Sequence, residues 1–353
     1  MKLAQVIEEL VEERGLDRNL LGGIICEGLL AAYSKRYPDL VFNIVYNKKT
    51  DEIETKVQKI VVATVEDDDA EITLRKARAF DPNVEIDGKV EVPFDGKIGR
   101  IEILRAKQVI ATQIRGVEAS AIFNEYKNKQ NTIVHATIHK CERNGMSLKL
   151  DEALAFLPRS LSLPSDKCIV GYSIRALLKE VLVEPRNDYQ LILDRASADF
   201  VAHLFELEIP EIFEKIVEIK KIVRIAGYKT KIAVISHDKN IDPVGTCVGV
   251  GGVRIKPILK ELGGEKIDVI PWRDSIDDLI IDALKPAVIS RVEISSDGRS
   301  AQVWLDEDQR SLAIGKLGQN ISLASQLTGV HINLVQSEGG AIQLEDDMDE
   351  NIE

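Results

Sequence analysis

The sequence predicts a multidomain α+β protein, and three observations lead to this fold class. The chain of 353 residues is long enough for two to four domains, and its 44% apolar content is enough for packed cores. Several short alternating runs are typical of a small β-barrel. A Gly-x-x-Gly loop then occurs twice in matching surroundings, at 249–252 and 315–318. The predicted parts are an N-terminal α/β domain (1–130), a barrel (131–198), two α/β modules (199–275 and 276–336) and a tail (337–353).

The N-terminal domain is predicted to contain three helices. The first has the apolar stripe Leu3, Val6, Ile7, Leu10 and Val11 and stops at Gly15. A second helix is expected over 17–37, because Pro38 follows it, and two strands flank 47–49. A long helix is predicted from about Ile101 to Tyr126. Its stripe consists of Ile103, Ile110, Ile114, Val117 and Ala121, a spacing more typical of core than of a partner site.

The barrel is predicted from regularly spaced strands. These strands are Thr132–Ile138, Met146–Leu150, Ile169–Leu177 and Gln190–Leu193. Small barrels that grip single-stranded nucleic acid stack the bases on aromatic side chains. This segment offers only Phe156, Tyr172 and Tyr189. RNA binding by the barrel and a role as a spacer are therefore both open.

The two modules share more than their glycines. Each reads strand, strand, helix, loop, helix, strand, with a hairpin turn near Gly227 in the first and Gly298 in the second. Asp242 is expected to cap the helix before the first loop, with Pro243 at its first position. Apolar residues beside the loops are candidates for a groove. They are Val248, Ile255, Ile314 and Ile321.

The loops predict an RNA site. A loop without side chains at its ends lets a sugar-phosphate backbone approach closely, and free N–H groups at the start of the next helix attract phosphate oxygens. This is the arrangement of KH domains, which clamp about four single-stranded nucleotides. The modules are accordingly predicted to be tandem KH domains of type II. The predicted RNA-binding residues are Gly249, Val250, Gly251, Gly252, Arg254, Lys256, Gly315, Lys316, Leu317, Gly318, Gln319 and Asn320.

Long ordered segments resemble the NusA family of bacterial transcription elongation factors. They are FELEIPEI from Phe205, VEIKKIVRIAGYKTKIAV from Val217, DPVGTCVG from Asp242, GGEKIDVIPW from Gly263 and LAIGKLGQNISLASQLTG from Leu312. The resemblance covers roughly the whole chain. It is strongest from Asp194 to Gly329 and weakest in the barrel.

The resemblance implies a function and partners. The N-terminal domain is expected to bind RNA polymerase core near the flap that borders the RNA exit channel. The barrel is expected to be an S1-type OB fold, and it and the KH domains are expected to bind nascent single-stranded RNA. The protein would modulate pausing, termination and antitermination. Other antitermination factors would be among its partners. The implied protein is a monomer.

The first KH loop departs from the family pattern. Val250-Gly251 stands where one basic residue is usual, so a weaker phosphate contact is expected there. Arg254 matches a family arginine and is the group that would compensate, while the second loop keeps Lys316.

Two other functions are compatible with KH domains. One is a polymerase-independent RNA chaperone or translation-associated protein, and the other is a ribonuclease accessory module. A polymerase-docking domain would distinguish the transcription elongation factor from both of these functions. The chain carries none of the P-loop, HExxH or G-x-S-x-G fingerprints, so an enzyme, a metal site and a cofactor are not expected.

Charge is unevenly distributed along the chain. The formal net charge is −12, and residues 335–353 carry 0 basic and 7 acidic groups. This acidic tail is expected to be disordered, since it cannot form a core. The KH region is not basic overall, which predicts modest intrinsic RNA affinity.

The remaining composition predicts a cytoplasmic protein. No apolar run is long enough to span a membrane, and the first residues carry acids rather than a secretory signal. The four cysteines are far apart in sequence and lack metal-ligand spacing. They are expected to be buried reduced thiols rather than disulfides or zinc ligands. They are Cys26, Cys141, Cys168 and Cys247.

Overall fold

The computed structural model describes residues 17–47, 50 and 52–336. The predicted first helix with its stop at Gly15, the turn residues 48–49 and the acidic tail lie outside the described residues. The chain forms two compact units, Met1–Ile122 and Phe123–Glu353.

The N-terminal unit combines helices with a four-stranded sheet. Its elements are α1 (Arg18–Arg36), β1 (Val41–Asn47), β2 (Glu52–Val62), β3 (Glu71–Thr73), α2 (Leu74–Ala77), β4 (Lys89–Pro93) and the start of α3 (Arg100–Tyr126). The long strand β2 pairs with all three other strands. Helix α1 begins at Asp17, whose carboxylate accepts hydrogen bonds from the backbone N–H groups of Asn19 and Leu20.

The long predicted helix is present as α3, but only part of its stripe is core. Ile110 and Ile114 pack against the buried Leu21 and Ile25 of α1. Ile103, at the start of the stripe, is 41% exposed. Helical spacing therefore identified the packed face only in the middle of the helix, since Ala121, at the end of the stripe, is exposed as well.

Five strands form a closed barrel, as the strand spacing predicted. They are β5 (Ile133–Glu142), β6 (Gly145–Leu150), β7 (Ala153–Pro158), β8 (Ser173–Arg186) and β9 (Tyr189–Asp194). Their order around the barrel is β5-β6-β7-β9-β8, and β8 pairs with β5 to close it. The interior is filled by leucines such as Leu148, Leu157 and Leu191, all fully buried.

The two modules have the same topology. The first consists of α4 (Ala198–Glu208), α5 (Pro210–Phe213), β10 (Val217–Ile225), β11 (Lys229–Ser236), α6 (Pro243–Val248), α7 (Ile255–Glu261) and β12 (Lys266–Pro271). The second consists of α8 (Ile276–Leu284), β13 (Arg291–Ile294), β14 (Ser300–Leu305), α9 (Glu307–Ile314), α10 (Gln319–Thr328) and β15 (His331–Gln336). In each sheet an antiparallel hairpin is extended by a parallel last strand. The predicted order of elements is confirmed in both copies.

The two modules share a hydrophobic core, and the first module has a second core of its own. Val223 and Ala233 of the first sheet lie in the same buried cluster as Leu323 and Leu327 of α10. Trp272, in the short connection between the modules, packs against this cluster. The connection between β12 and α8 is only four residues long, and its tryptophan packs at the junction.

The cysteine prediction was wrong for two of the four residues. Cys141 and Cys168 form a disulfide with a Cα–Cα distance of 5.9 Å, whereas Cys26 and Cys247 are buried free thiols. Cys141 lies near the end of β5, and the segment before β8 is hydrogen-bonded to that strand through Tyr172. Strand pairing therefore brings together two residues that are 27 apart in sequence. Burial raises the pKa of Cys247 to about 12.

No described helix combines the length and apolar character that crossing a bilayer would require.

Candidate nucleic-acid interface

The first Gly-x-x-Gly loop follows the short helix α6. Asp242 caps this helix, with its carboxylate 3.1 Å from Val244 N and 3.0 Å from Gly245 N, and Pro243 occupies the first turn. The helix ends at Gly249, which has φ 72° and ψ 164°. A Cβ atom there would lie 2.9 Å from Cγ of Arg254, so both the backbone angle and the space require glycine.

The second loop repeats this backbone. Gly315, which ends α9, has φ 71° and ψ 178°. At the third position, Gly251 has φ 62° and ψ 19°, and Leu317 has φ 53° and ψ 28°. The fourth positions, Gly252 and Gly318, also have positive φ. The duplication seen in the sequence is therefore a duplication of loop conformation.

Leu317 carries the left-handed conformation with a side chain. Such a conformation costs a residue other than glycine roughly 1–2 kcal/mol. The side chain gains no burial in return, because it is 86% exposed. Strain at an exposed loop position is more typical of a functional constraint than of a stability requirement.

The loop tips face solvent. Val250 is 95% exposed, and Lys316 and Leu317 are exposed in the second loop. Four cations near the loops are exposed as well, and none of them pairs with an acidic side chain within the described part of the chain. They are Lys256, Lys260, Arg310 and Lys316. Cations in this position can neutralise phosphates without first breaking an ion pair.

Arg254 is already engaged by the protein. Its Nη1 atom lies 3.0 and 2.9 Å from the two carboxylate oxygens of Glu211 in α5, and it donates to the backbone oxygen of Thr246 at 3.0 Å. The sequence predicted this arginine as a compensating phosphate ligand. The geometry gives it a partner that RNA would have to displace.

Asn320 is buried rather than exposed. Its side-chain amide donates to the backbone oxygens of Leu284, Leu312 and Ala313 at 3.2–3.3 Å, and its oxygen accepts from Lys229 Nζ at 3.0 Å. The amide thus supports the loop from inside. The sequence reasoning missed Lys229, and no local pattern could have found it, because it lies 91 residues from Asn320.

The proposed groove residues lie mainly under the loops. Ile255 is 8% exposed and belongs to the core of the first module, and Val248 packs against that core. Ile321 packs against the shared core of the two modules, and Ile314 is half-buried. Their main contribution is to packing beneath the loops.

Two of the three aromatic side chains noted in the barrel stack on one another. The ring centroids of Phe156 and Tyr189 are 5.0 Å apart, and the Tyr189 hydroxyl donates to Glu142. The third, Tyr172, is 63% exposed. The limited aromatic surface noted in the sequence is therefore reduced further by this mutual stacking.

Three family models match the chain. The NusA N-terminal domain matches residues 2–120, the NusA-like first KH domain matches 195–272, and the NusA-like second KH domain matches 276–341. The two KH matches coincide with the two modules that carry the loops.

Curated relatives are similar over most of the chain. The transcription termination/antitermination protein NusA of Thermus thermophilus is 33% identical over 350 residues, which cover 96% of this chain and 90% of the relative. The protein of the same description from Halalkalibacterium halodurans is 32% identical over 337 residues, covering 95% and 88%. That from Rickettsia conorii is 31% identical over 347 residues, covering 96% of this chain and 68% of the relative.

Proposed function

Because this chain belongs to the NusA family, we propose that it is a transcription elongation factor that binds RNA polymerase and nascent RNA and modulates pausing, termination and antitermination. One observation carries this proposal: two loops of the same conformation follow, in one chain, a domain that matches the NusA N-terminal domain. The function is exerted by binding, without a catalytic step or a cofactor.

RNA binds at the two loops through its backbone. The side-chain-free ends of Gly249–Gly252 and Gly315–Gly318 let the sugar-phosphate chain approach, and the following helices α7 and α10 direct N–H groups toward phosphate oxygens. Lys316 supplies a cation within the second loop, whereas the tip of the first loop is the apolar Val250. The second loop therefore contributes more of the electrostatic affinity.

Recruitment by the polymerase compensates for modest intrinsic affinity. The formal charge of −12 opposes the approach of a polyanion. The N-terminal domain docks near the flap at the RNA exit channel, and this raises the effective RNA concentration at the KH loops. The protein acts in the cytoplasm as a monomer, alongside other antitermination factors.

Holding RNA at the exit channel changes the balance of paused states. RNA bound along the KH loops either favours or blocks hairpin formation in the transcript. A factor that binds one of two interconverting states more tightly shifts the population toward that state. Pausing, termination and antitermination are three outcomes of this differential binding.

Single-round transcription with purified bacterial RNA polymerase on a hairpin-pause template tests the proposal. The wild-type chain should lengthen the pause, and the variant Gly251→Asp/Lys316→Asp should lose most of this effect. The exposed Lys266→Asp is a control for added negative charge outside the loops. If the wild-type chain binds RNA and leaves pausing and termination unchanged, the polymerase-independent RNA chaperone becomes the better function.

A further inference from the structure

Equivalent positions in the two KH domains bridge their loops. Arg254 and Asn320 each lie two residues after the last glycine of their loop. Arg254 Nη1 donates to the backbone oxygen of Thr246 at 3.0 Å, and Asn320 Nδ2 donates to that of Leu312 at 3.3 Å. Thr246 and Leu312 occupy the same place in the preceding helices, three residues before the first glycine. Each loop is therefore spanned by a side-chain hydrogen bond between equivalent positions, and Asn320 makes a second such bond to the backbone oxygen of Ala313.

The first glycine of each loop packs against this bridging residue. A Cβ atom on Gly249 would lie 2.9 Å from Arg254 Cγ, and one on Gly315 would lie 2.7 Å from Asn320 Cβ. The concave side of each loop is thus occupied by the bridging side chain. Because the two residue types differ while the bond and the close contact persist, the feature common to both copies is the support of the loop.

Lys229 determines how the Asn320 amide can point. The amide nitrogen faces three backbone oxygens, and the amide oxygen faces the Lys229 ammonium at 3.0 Å. The reversed orientation would place oxygen against oxygen and nitrogen against a cation, so only one orientation is favourable. Lys229 belongs to β11 of the first KH domain, while Asn320 begins α10 beside the second loop.

We infer that Asn320 and Lys229 are positioning residues for RNA binding by the second loop, and that Lys229 makes the shape of this loop depend on the first KH domain. The inference rests on the proposed RNA-binding function. A loop already held in its bound shape loses less conformational freedom on binding. Without Lys229, the Asn320 oxygen loses its cationic partner, and only the bonds from the amide nitrogen to backbone oxygens still hold the side chain in the bridge.

The Lys229→Met variant tests this inference in the full chain. Asp268, the acidic partner of Lys229, keeps an ion pair with Lys231 at 2.7 Å, so the variant does not leave this carboxylate unpaired. The exposed Lys266 is the Cα partner of Lys229 on the adjacent strand, and Lys266→Met removes the same charge. The probe is a single-stranded RNA of mixed A and C sequence. Lys229→Met should weaken its binding about fivefold, the size expected for the loss of one ordinary hydrogen bond, and Lys266→Met should leave it unchanged.

The dependence on each loop separates positioning from a general effect on the fold. In a chain whose second loop is disabled by Lys316→Asp/Leu317→Asp, Lys229→Met should cause no further loss. In a chain with Val250→Asp/Gly251→Asp in the first loop, the fivefold loss should persist. Double-mutant cycles of this kind isolate the coupling between two sites. If Lys229→Met weakened RNA binding equally in the wild-type chain and in both loop variants, the inference would be overturned.

Salt dependence and a conservative variant complete the test. Lys229→Met should leave the slope of log affinity against log salt unchanged, because this lysine supports the loop and does not contact phosphate. Lys229→Arg keeps a charged donor at this position and should bind RNA as the wild-type chain does. RNA binding as weak as that of Lys229→Met would count against the inference. If the wild-type chain binds no RNA while remaining folded, the proposed RNA-binding function itself fails. Wild-type binding that Lys316→Asp weakens and Lys229→Met does not would overturn only the positioning role.

Discussion

Gly249 and Gly315 combine φ near 70° with ψ of 164° and 178°, a region of backbone space open essentially to glycine alone. Gly251 lies in the ordinary left-handed region, and a Cβ atom there would meet no described neighbour within 4 Å. The glycines of one loop therefore differ in purpose. The first glycine is required by the fold, and Gly251 leaves open space beside the loop, which the proposed function assigns to the RNA backbone.

This difference predicts unequal stability costs. Gly249→Ala should destabilise the protein by about 3 kcal/mol, because backbone strain is joined by a clash with Arg254. Gly251→Ala should cost only about 1 kcal/mol, the strain of a left-handed alanine. Urea unfolding monitored by circular dichroism measures both values. Equal costs for the two variants would contradict the assignment.

The presence of a cation in only the second loop predicts unequal salt dependence. Lys316 is exposed in the second loop, and Val250 occupies the same position in the first. Lys316→Gln should reduce the magnitude of the slope of log affinity against log salt by about 0.7, the value for one phosphate contact with a single strand. Val250→Gln is the matched control and should leave the slope unchanged. A titration of RNA binding at several salt concentrations decides between this result and equal slopes.

At the scale of elements, buried ion pairs connect the barrel to the first KH domain. Arg195, which is 3% exposed, contacts the Asp166 carboxylate at 3.0 Å and Glu261 Oε1 at 2.6 Å. Arg175 of β8 donates to the other oxygen of Glu261 at 2.9 Å. Glu261 ends α7, so the helix after the first loop is tied to the barrel through two arginines. Each arginine has a second acidic partner, Asp166 for Arg195 and Glu208 for Arg175, and Glu261 is the carboxylate that they share.

The pKa of Glu261 predicts how this connection responds to acid. Burial alone would raise the pKa, but hydrogen bonds from Arg195 and Arg175 outweigh burial and lower the pKa below its ordinary value. The stabilisation is therefore complete above the unfolded-state pKa of about 4.3 and is lost as pH falls from there through the lower folded-state value.

The variant Glu261→Gln isolates this contribution. At pH 7 it should lower the unfolding free energy by about 2–3 kcal/mol, since both arginines lose their shared carboxylate but keep Asp166 and Glu208 as partners. The difference from wild type should shrink as pH falls below about 4.3, where the wild-type carboxyl also becomes neutral. Urea unfolding at pH 7 and at several pH values below about 4.3 measures the difference in unfolding free energy between the wild-type chain and the variant. If this difference in unfolding free energy stayed constant down to low pH, the charge of the carboxylate would not be what stabilises the connection.

At the scale of the whole molecule, the described part of the second unit brings the barrel and both KH domains together through buried contacts. The KH domains share a core, in which α10 packs against β10 and β11. A shared core resists independent domain motion, because separation would expose the apolar surface of both partners. The two Gly-x-x-Gly loops are therefore presented at a fixed spacing, and under the proposed function this spacing would favour a longer RNA bound across both.

Joint tumbling of the KH domains is the corresponding prediction. ¹⁵N relaxation of the full chain should give the same rotational correlation time for amides of the first and second KH domains. Val303 and Leu327 lie in the shared core and are suitable reporters of the second domain, with Ala233 as a reporter of the first. Distinct correlation times for the two domains would mean that the shared core opens in solution.

Features that depend on neighbouring residues could be predicted from the sequence. Glycine at positive φ, the Asp242 cap and alternating strand runs located both loops, the hairpins and the barrel, because each signal is carried within a few residues. The duplication then identified the modules as KH domains.

The residues that support the loops from inside became apparent only from the folded chain. The contacts of Arg254 with Glu211, of Arg195 with Glu261 and of Asn320 with Lys229 join residues 43, 66 and 91 apart. The Cys141–Cys168 disulfide, which the sequence analysis did not expect, follows from strand pairing over 27 residues. A side chain's partners across such distances are set by the packing of whole elements, which no local spacing encodes.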